Sequence, residues 1–198
     1  MPTGVALRDV REQLFDAAER ILLDGGPSAL TSRAVTAEAG VAKGVLHRHF
    51  ADFDDFLADF VLDRVDRFAP RAAALRDSAG TGDVADNVTA ALTDLFGSAA
   101  VAVVALVTFR DGLRERLRRA WPAGVPVLTE AATAVGAYLA AERDLGRLAP
   151  ESDVDVLAAV LIGTAHLLHA DRGSAPPTTG AVHRVVTTVL AGRTRRPG

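Results

Sequence analysis

Cysteine is absent from the 198-residue chain. This excludes disulfide bonds, zinc sites with thiolate ligands and cysteine nucleophiles. A chain without disulfides fits a reducing compartment, and we expect the protein to be cytoplasmic. Long hydrophobic runs are missing too: the longest, residues 99–109, is shorter than the ~20 residues that a membrane helix needs. We therefore expect no membrane partner.

Lysine is almost absent, and arginine carries nearly all of the positive charge. The formal net charge is −3, and Lys43 is the single lysine. A weakly acidic chain is not coated with positive charge, so any contact with nucleic acid has to be local.

Hydrophobic residues make up 49% of the chain, enough to bury a sizeable core. Their spacing is helical, and no alternation of short strands and turns is present. We predict an all-α fold with an N-terminal three-helix domain over residues 1–51 and a larger helical bundle over residues 52–198. Pro70 is expected to kink or divide the fourth helix. The predicted helices are about nine in number: 7–24, 33–38, 42–50, 53–75, 84–96, 99–120, 125–145, 153–171 and 181–190.

The stretch Leu30–Phe50, LTSRAVTAEAGVAKGVLHRHF, has the pattern of a helix-turn-helix. Thr31 can cap a first short helix through its hydroxyl, and Gly40 can adopt the positive φ of a tight turn. The side chains expected to stay outside are small, hydroxyl-bearing or basic, with no acid among them. Such a surface suits DNA, and Lys43 at the start of the second helix could reach guanine acceptors in the major groove. The residues expected on this outer surface include Thr31, Ser32, Arg33, Thr36, Ala42, Lys43, Gly44, Val45, His47, Arg48 and His49.

Residues 11–57 resemble the DNA-binding domain of the tetracycline-repressor (TetR) family of transcriptional regulators. The resemblance rests on the Leu30-Thr31 start, the Ala39-Gly40-Val41 turn and the closing His49-Phe50. It implies that double-stranded DNA is the partner and that the operator is palindromic. On this resemblance we expect Lys43, Gly44 and Val45 to read bases. Thr31, Arg33, His47 and His49 are expected to contact phosphates. Ala42 is expected to belong to the same DNA-binding surface.

Four positions depart from the family pattern. Ala42 stands in place of the usual serine, Val45 in place of threonine, His47 in place of tyrosine and Phe53 in place of lysine. Each change removes a hydroxyl or an ammonium group that could contact DNA. These departures motivate an alternative function, a ligand-binding helical protein of the same fold with weak or lost operator recognition.

The C-terminal part has two helices that suit dimerisation. The segment 153–171 is apolar nearly all round, and a helix of that kind must be covered on every side. The last helix, 181–190, offers a second apolar face. The resemblance implies that these two helices form a homodimer, which would present two recognition helices to major grooves about 34 Å apart.

The resemblance also implies an effector pocket within the C-terminal bundle. Aromatic and mixed-polarity side chains on inward helix faces are the candidates for its walls, although ordinary core packing would explain them as well. The abundance of valine, leucine and alanine predicts a mainly apolar effector, and the resemblance implies that binding of this effector releases a repressor from its operator. The candidate ligand-binding residues are Phe96, Phe109, Trp121, Tyr138 and His166.

Other chemistry finds little support in the sequence. His166 and His169 are spaced to share a helix face, but no third ligand accompanies them, so histidines in a core or an interface are the simpler interpretation of the pair. No nucleophile-elbow motif or phosphate-binding glycine loop is present. A helical enzyme is a third possibility that lacks an acid–base constellation. We therefore expect no enzymatic activity, no cofactor and no metal.

Overall fold

The computed structural model describes residues 4–97, 99–122, 124–170 and 176–194, with side chains described from residue 10 onward. Within these ranges the fold is all-α, as predicted, and the one β-type contact is an isolated bridge between Leu148 and Thr194. The described part of the chain has eleven α-helices and a 3-10 turn at Pro27–Ala29. The helices are α1 (Gly4–Gly25), α2 (Ser32–Glu38), α3 (Gly44–His49), α4 (Phe53–Asp66), α5 (Ala69–Asp77), α6 (Val84–Phe96), α7 (Ala100–Phe109), α8 (Asp111–Ala120), α9 (Pro126–Asp144), α10 (Val154–His169) and α11 (Thr179–Val189).

Two predicted helices are each divided in two, which accounts for the larger number. The division near Pro70 follows the prediction: proline lies in the first turn of α5, where its missing N–H costs no hydrogen bond. The division at Arg110 was not predicted. Arg110 adopts an extended conformation between α7 and α8, with φ −123° and ψ 97°. The first helix also begins earlier than expected, at Gly4 rather than at residue 7.

The chain forms two compact units. The first contains residues 1–64 and 102–126, and the second contains residues 65–101 and 127–198. This division by packing does not coincide with the predicted domain boundary at residues 51 and 52, which stays a prediction about function. No single helix in the described ranges combines the length and the apolarity of a membrane span, and 84–96 with 100–109 meets those criteria only as a pair.

The core of the first unit is an aromatic cluster under the helix-turn-helix. The Phe15 ring lies 5.6 Å from that of Phe56, 6.0 Å from Phe60 and 6.1 Å from Phe50. Phe50 closes α3, so burial of its ring fixes the end of that helix against α1 and α4. Aromatic pairs of this kind add about 0.5–1.5 kcal/mol each beyond their buried area.

In the second unit, α6 packs against α10 and α11 through buried aliphatic side chains such as Val88, Leu92 and Val186. Among the described side chains of this unit, the buried charged residue is Glu142 of α9, which is fully buried. Its carboxylate accepts a hydrogen bond from the Gly80 N–H at 3.3 Å and lies 3.3 Å from the Arg147 guanidinium. This contact ties the loop before α6 to the end of α9.

Candidate nucleic-acid interface and ligand cavity

The helix-turn-helix forms as its local chemistry predicts. The Thr31 hydroxyl accepts a hydrogen bond from the Ala34 N–H at 3.2 Å and caps α2. Gly40 has φ +66°, a conformation that a side chain would strain. The Val41 N–H then donates to the Thr36 carbonyl at 3.0 Å, which closes the turn before α3.

Most of the predicted DNA-contacting residues are on the surface. Thr31, Arg33, Ala42, Lys43, Gly44 and His47 are exposed, and His49 is half-buried. Arg48 is exposed as well, although sequence reasoning placed it on the outer surface without giving it a role. Their contact with DNA remains a prediction.

Two residues expected on the outer surface are buried instead. Val45 is only 9% exposed and Thr36 only 3%. The short α3 turns Val45 and Leu46 inward together. The Thr36 hydroxyl donates within its own helix to the Ser32 carbonyl at 3.0 Å. The expectation that Val45 faces outward to read a base was therefore wrong.

The exposed cations of this surface are free to meet phosphates. Among the residues with described side chains, no carboxylate pairs with Arg33, Lys43 or Arg48. Glu38, the acidic residue of α2, is engaged by the Arg20 Nε at 2.7 Å. The surface therefore keeps a local positive charge on a chain whose net charge is −3.

A cavity of about 290 Å³ lies in the second unit among α5, α6 and α9. Most of its wall is aliphatic. Its polar groups are Ser78, Asn87 and the ion pair between the Arg71 Nε and the Asp94 carboxylate at 2.5 Å. The lining residues are Phe68, Arg71, Ala74, Leu75, Ser78, Asn87, Ala90, Ala91, Leu92, Asp94, Leu95, Ala131 and Val135.

The Asn87 side chain is held by two hydrogen bonds to residues outside the cavity lining. Its Nδ2 donates to the Thr81 carbonyl at 2.9 Å and to the Tyr138 hydroxyl at 3.0 Å. Both amide protons are thus used. Tyr138 is fully buried, and burial with the neighbouring Glu142 raises the pKa of its phenol well above the usual value. The phenol therefore stays neutral and keeps the Asn87 side chain oriented.

None of the five predicted ligand-binding residues lines this cavity. Tyr138 reaches it only through Asn87. Phe109 is 84% exposed, so its expected inward position was wrong: α7 ends there, and the chain turns at Arg110. Phe109 and half-buried Trp121 also belong to the first compact unit, whereas the cavity lies in the second.

Phe96 and His166 belong to a separate cluster between α6 and α10. The buried Phe96 ring lies 5.9 Å from the His166 ring and 5.4 Å from the His169 ring, centroid to centroid. Burial, with a smaller effect from His169, lowers the pKa of His166. No group of three or more histidine, aspartate or glutamate side chains in the described ranges could hold a metal ion.

The predicted dimer helices leave an apolar stripe uncovered. Val156, Val160 and Leu167 of α10 are 56%, 44% and 73% exposed. Gly163 is exposed between them, so the spacing of four, three and four residues places the stripe on one helix face. The opposite face, with Leu157 and Leu161, is buried.

Comparison with known proteins supports the fold and the N-terminal domain. Residues 14–59 match the family model described as bacterial regulatory proteins, tetR family. A transcriptional regulator from Rhodococcus sp. Rha1 is 24% identical, with 94% of this chain and 99% of that chain covered and a TM-score of 0.70. A TetR transcription regulator from Haloarcula marismortui is 16% identical over 95% of this chain and all of that chain (100%), with a TM-score of 0.71.

A third structure, FadR from Bacillus subtilis in complex with stearoyl-CoA, is 17% identical. The match covers 91% of this chain and 98% of the FadR chain, with a TM-score of 0.69. A search of the curated proteins found no match. At these identities the structures show the fold, and the sequence match identifies the helix-turn-helix domain. Residues 14–59 therefore form the N-terminal domain that the tetR family model describes, in a chain whose fold is shared with these regulators.

Proposed function

We propose that the protein is a cytoplasmic, dimeric repressor that binds a palindromic operator and is released from it by a small, mainly apolar molecule. The observation that carries the proposal is the group of exposed cations on the helix-turn-helix, Arg33, Lys43 and Arg48, for which the described carboxylates provide no partner. Cations left unpaired beside a short exposed helix are suited to phosphates and guanine edges.

The roles within this surface follow from position. Lys43 directly precedes α3 and Gly44 begins it, so a lysine there can reach a base edge without steric hindrance from its neighbour. Thr31, Arg33, His47 and His49 would contact phosphates, with Arg48 added to that set because of its exposure. Ala42 lies beside them on the surface, and Val45 is left out because it is buried.

Dimerisation through α10 and α11 would cover the stripe of Val156, Val160 and Leu167. An uncovered apolar stripe of this kind on a helix indicates an interface. A two-fold symmetric partner also supplies the second recognition helix that a palindromic operator requires. The alternative occupant of the stripe is a different protein. The mass of the purified protein in solution separates the two: a dimer supports self-association, and a monomer leaves the stripe to a different protein.

The effector site we propose is the cavity among α5, α6 and α9. Its aliphatic wall suits an apolar body, and Asn87 adds a polar side chain to the lining. The complex of B. subtilis FadR with stearoyl-CoA supports a ligand with a long apolar portion. Release would follow if the ligand binds better to a form whose recognition helices are spaced wrongly for the duplex.

DNA binding can be tested without assuming an operator sequence. Duplexes selected from a random pool by the full-length protein should share a palindromic sequence, and Lys43→Ala should weaken binding to that duplex by about 1–3 kcal/mol. Arg76→Ala, which removes an exposed cation from α5, is the matched control and should bind normally. Failure to select any sequence above random duplex would favour the alternative function, a ligand-binding protein without operator recognition.

The cavity can be tested with the apolar fluorophore N-phenyl-1-naphthylamine. Ala91→Leu places a larger side chain on the cavity wall and should reduce the fluorescence enhancement, whereas Ala72→Leu on α5, outside the lining, should not. Equal enhancement by all three proteins would exclude the cavity as the binding site.

A further inference from the structure

Three carboxylates follow closely in sequence on α3, which is the proposed recognition helix. Asp52 precedes α4, and Asp54 and Asp55 lie in its first turn. Asp52 is three residues beyond His49, the last residue of α3, so its Cα is at most about 11 Å from that of His49. This is well within the Debye length of about 30 Å at 0.01 M salt, so at low ionic strength charges here act on phosphates bound at α3. Left unpaired, the three carboxylates would repel DNA.

Two arginines of the α7–α8 region cover these carboxylates. The Arg110 Nε lies 2.5 Å from the Asp54 carboxylate, and its guanidinium carbon lies 5.1 Å from the centre of the Phe53 ring. Arg116 donates to Asp52 and lies 3.6 Å from Asp55. Both arginine side chains are about two-thirds buried, with 36% and 30% exposure. Each carboxylate thus has an arginine partner.

The local charge depends on these contacts. Three carboxylates and two guanidinium groups sum to −1, whereas the carboxylates alone sum to −3. The Asp55 N–H, which donates to Asp52 at 2.9 Å, lowers the pKa of Asp52, with Arg116 contributing, so this group is charged at neutral pH. The arginines therefore remove most of a repulsive charge from the side of α4 next to the recognition helix.

We propose that Arg110 and Arg116 are positioning residues for DNA binding, which neutralise Asp52, Asp54 and Asp55 so that the duplex can approach α3. The inference rests on the proposed DNA-binding function. It assigns to α8 a role that neither arginine would have as part of a solvated helix face.

The aspartates could also act structurally, by capping the start of α4, and this role has to be separated from the effect of their charge. Asp52 and Asp55 also accept hydrogen bonds from backbone N–H groups, from Asp55 at 2.9 Å and from Ala51 at 3.0 Å, and so stabilise the start of α4. Asparagine keeps a carbonyl oxygen that can accept these bonds but carries no charge. Asp54 accepts its hydrogen bond from Arg110 instead. Replacing the three aspartates by asparagine therefore separates charge from capping.

The test measures full-length protein binding to a random-sequence duplex and to a selected duplex by fluorescence anisotropy at several salt concentrations. The variants are Arg110→Gln with Arg116→Gln, the triple aspartate-to-asparagine variant, and the two sets combined. Local charges are −1 for the wild type, −3 for the arginine variant, +2 for the aspartate variant and 0 for the combination, from the groups paired here. We expect the arginine variant to bind about fourfold more weakly at low salt, since each of the two added negative charges costs roughly 0.4 kcal/mol at 10 Å in water.

The aspartate variant should bind more tightly than the wild type, and the combined variant at least as tightly. Arg118→Gln removes a cation from the same helix that pairs with Glu115 rather than with α4, and it should bind like the wild type. Weaker binding by the aspartate variant would show that the ion pairs act only through structure. Weaker binding by the combined variant would show that the arginines contact DNA directly, and either result would overturn the proposal.

The aspartate variant keeps the test decisive even if loss of the arginines unfolds α8, because it leaves both arginines in place. Circular dichroism checks that each variant is folded. If the wild type binds no duplex at all, the proposed function fails. If the wild type binds and the arginine variant, still folded, binds equally well, only this inference fails.

Discussion

Loss of the Arg147 side chain should destabilise the protein more than a surface ion pair could. Arg147→Met would leave the fully buried Glu142 carboxylate without its cation, 3.3 Å away in the native fold. It would also remove the 2.5 Å hydrogen bond that the guanidinium donates to the Gly82 carbonyl. An uncompensated buried charge typically costs about 3–5 kcal/mol. For a chain of this size we expect the melting temperature to fall by roughly 6–20 °C.

Thermal unfolding followed by circular dichroism, at a fixed protein concentration, measures the effect. Arg143→Met is the matched control, because Arg143 lies near the same helix end but pairs at 3.8 Å with Asp144, whose side chain is 75% exposed. We expect it to cost less than about 1 kcal/mol. Equal losses in the two variants would refute the reasoning.

Other substitutions test other parts of the fold. Gly40→Ala should cost about 1–2 kcal/mol in unfolding free energy although a Cβ would meet no atom within 4 Å, because φ is +66°. Val45→Thr should lower stability by about 1–3 kcal/mol by burying a hydroxyl, and it should add no DNA affinity in an anisotropy titration. Leu167→Arg should yield monomers in sedimentation experiments, because it charges the exposed stripe of α10. The pKa of His166 is lowered in the fold, so below pH ~6.5 the unfolded chain binds more protons than the folded chain. The unfolding free energy should therefore decrease as the pH is lowered through this range, and His166→Gln should make that decrease smaller.

The parts of the fold that depend on local chemistry could be predicted from the sequence. A capping threonine, a glycine turn and a proline in a first helical turn each determine the backbone through neighbouring atoms. Thr31, Gly40 and Pro70 accordingly have the predicted roles.

The features that depend on distant contacts could not be predicted. The break at Arg110 brings a guanidinium to Asp54, which is 56 residues away in the chain. No local signal at Arg110 indicates that partner. The cavity is similar: its walls come from α5, α6 and α9, and many of the residues are alanines that no search for aromatic ligand walls would select. Aromatic side chains instead entered the core, as Phe96 and Tyr138 did.

The structure also changes the weight of the four departures from the family pattern. Val45 is buried, so the absence of a hydroxyl there removes nothing from the surface. Phe53 stacks on Phe56 at 5.6 Å and lies under the Arg110 guanidinium, so it contributes to packing that a lysine could not supply. Only Ala42 and His47 remain as exposed departures, and an imidazole can still donate to a phosphate oxygen. The case for weak or lost operator recognition therefore rests mainly on one missing serine hydroxyl, at Ala42.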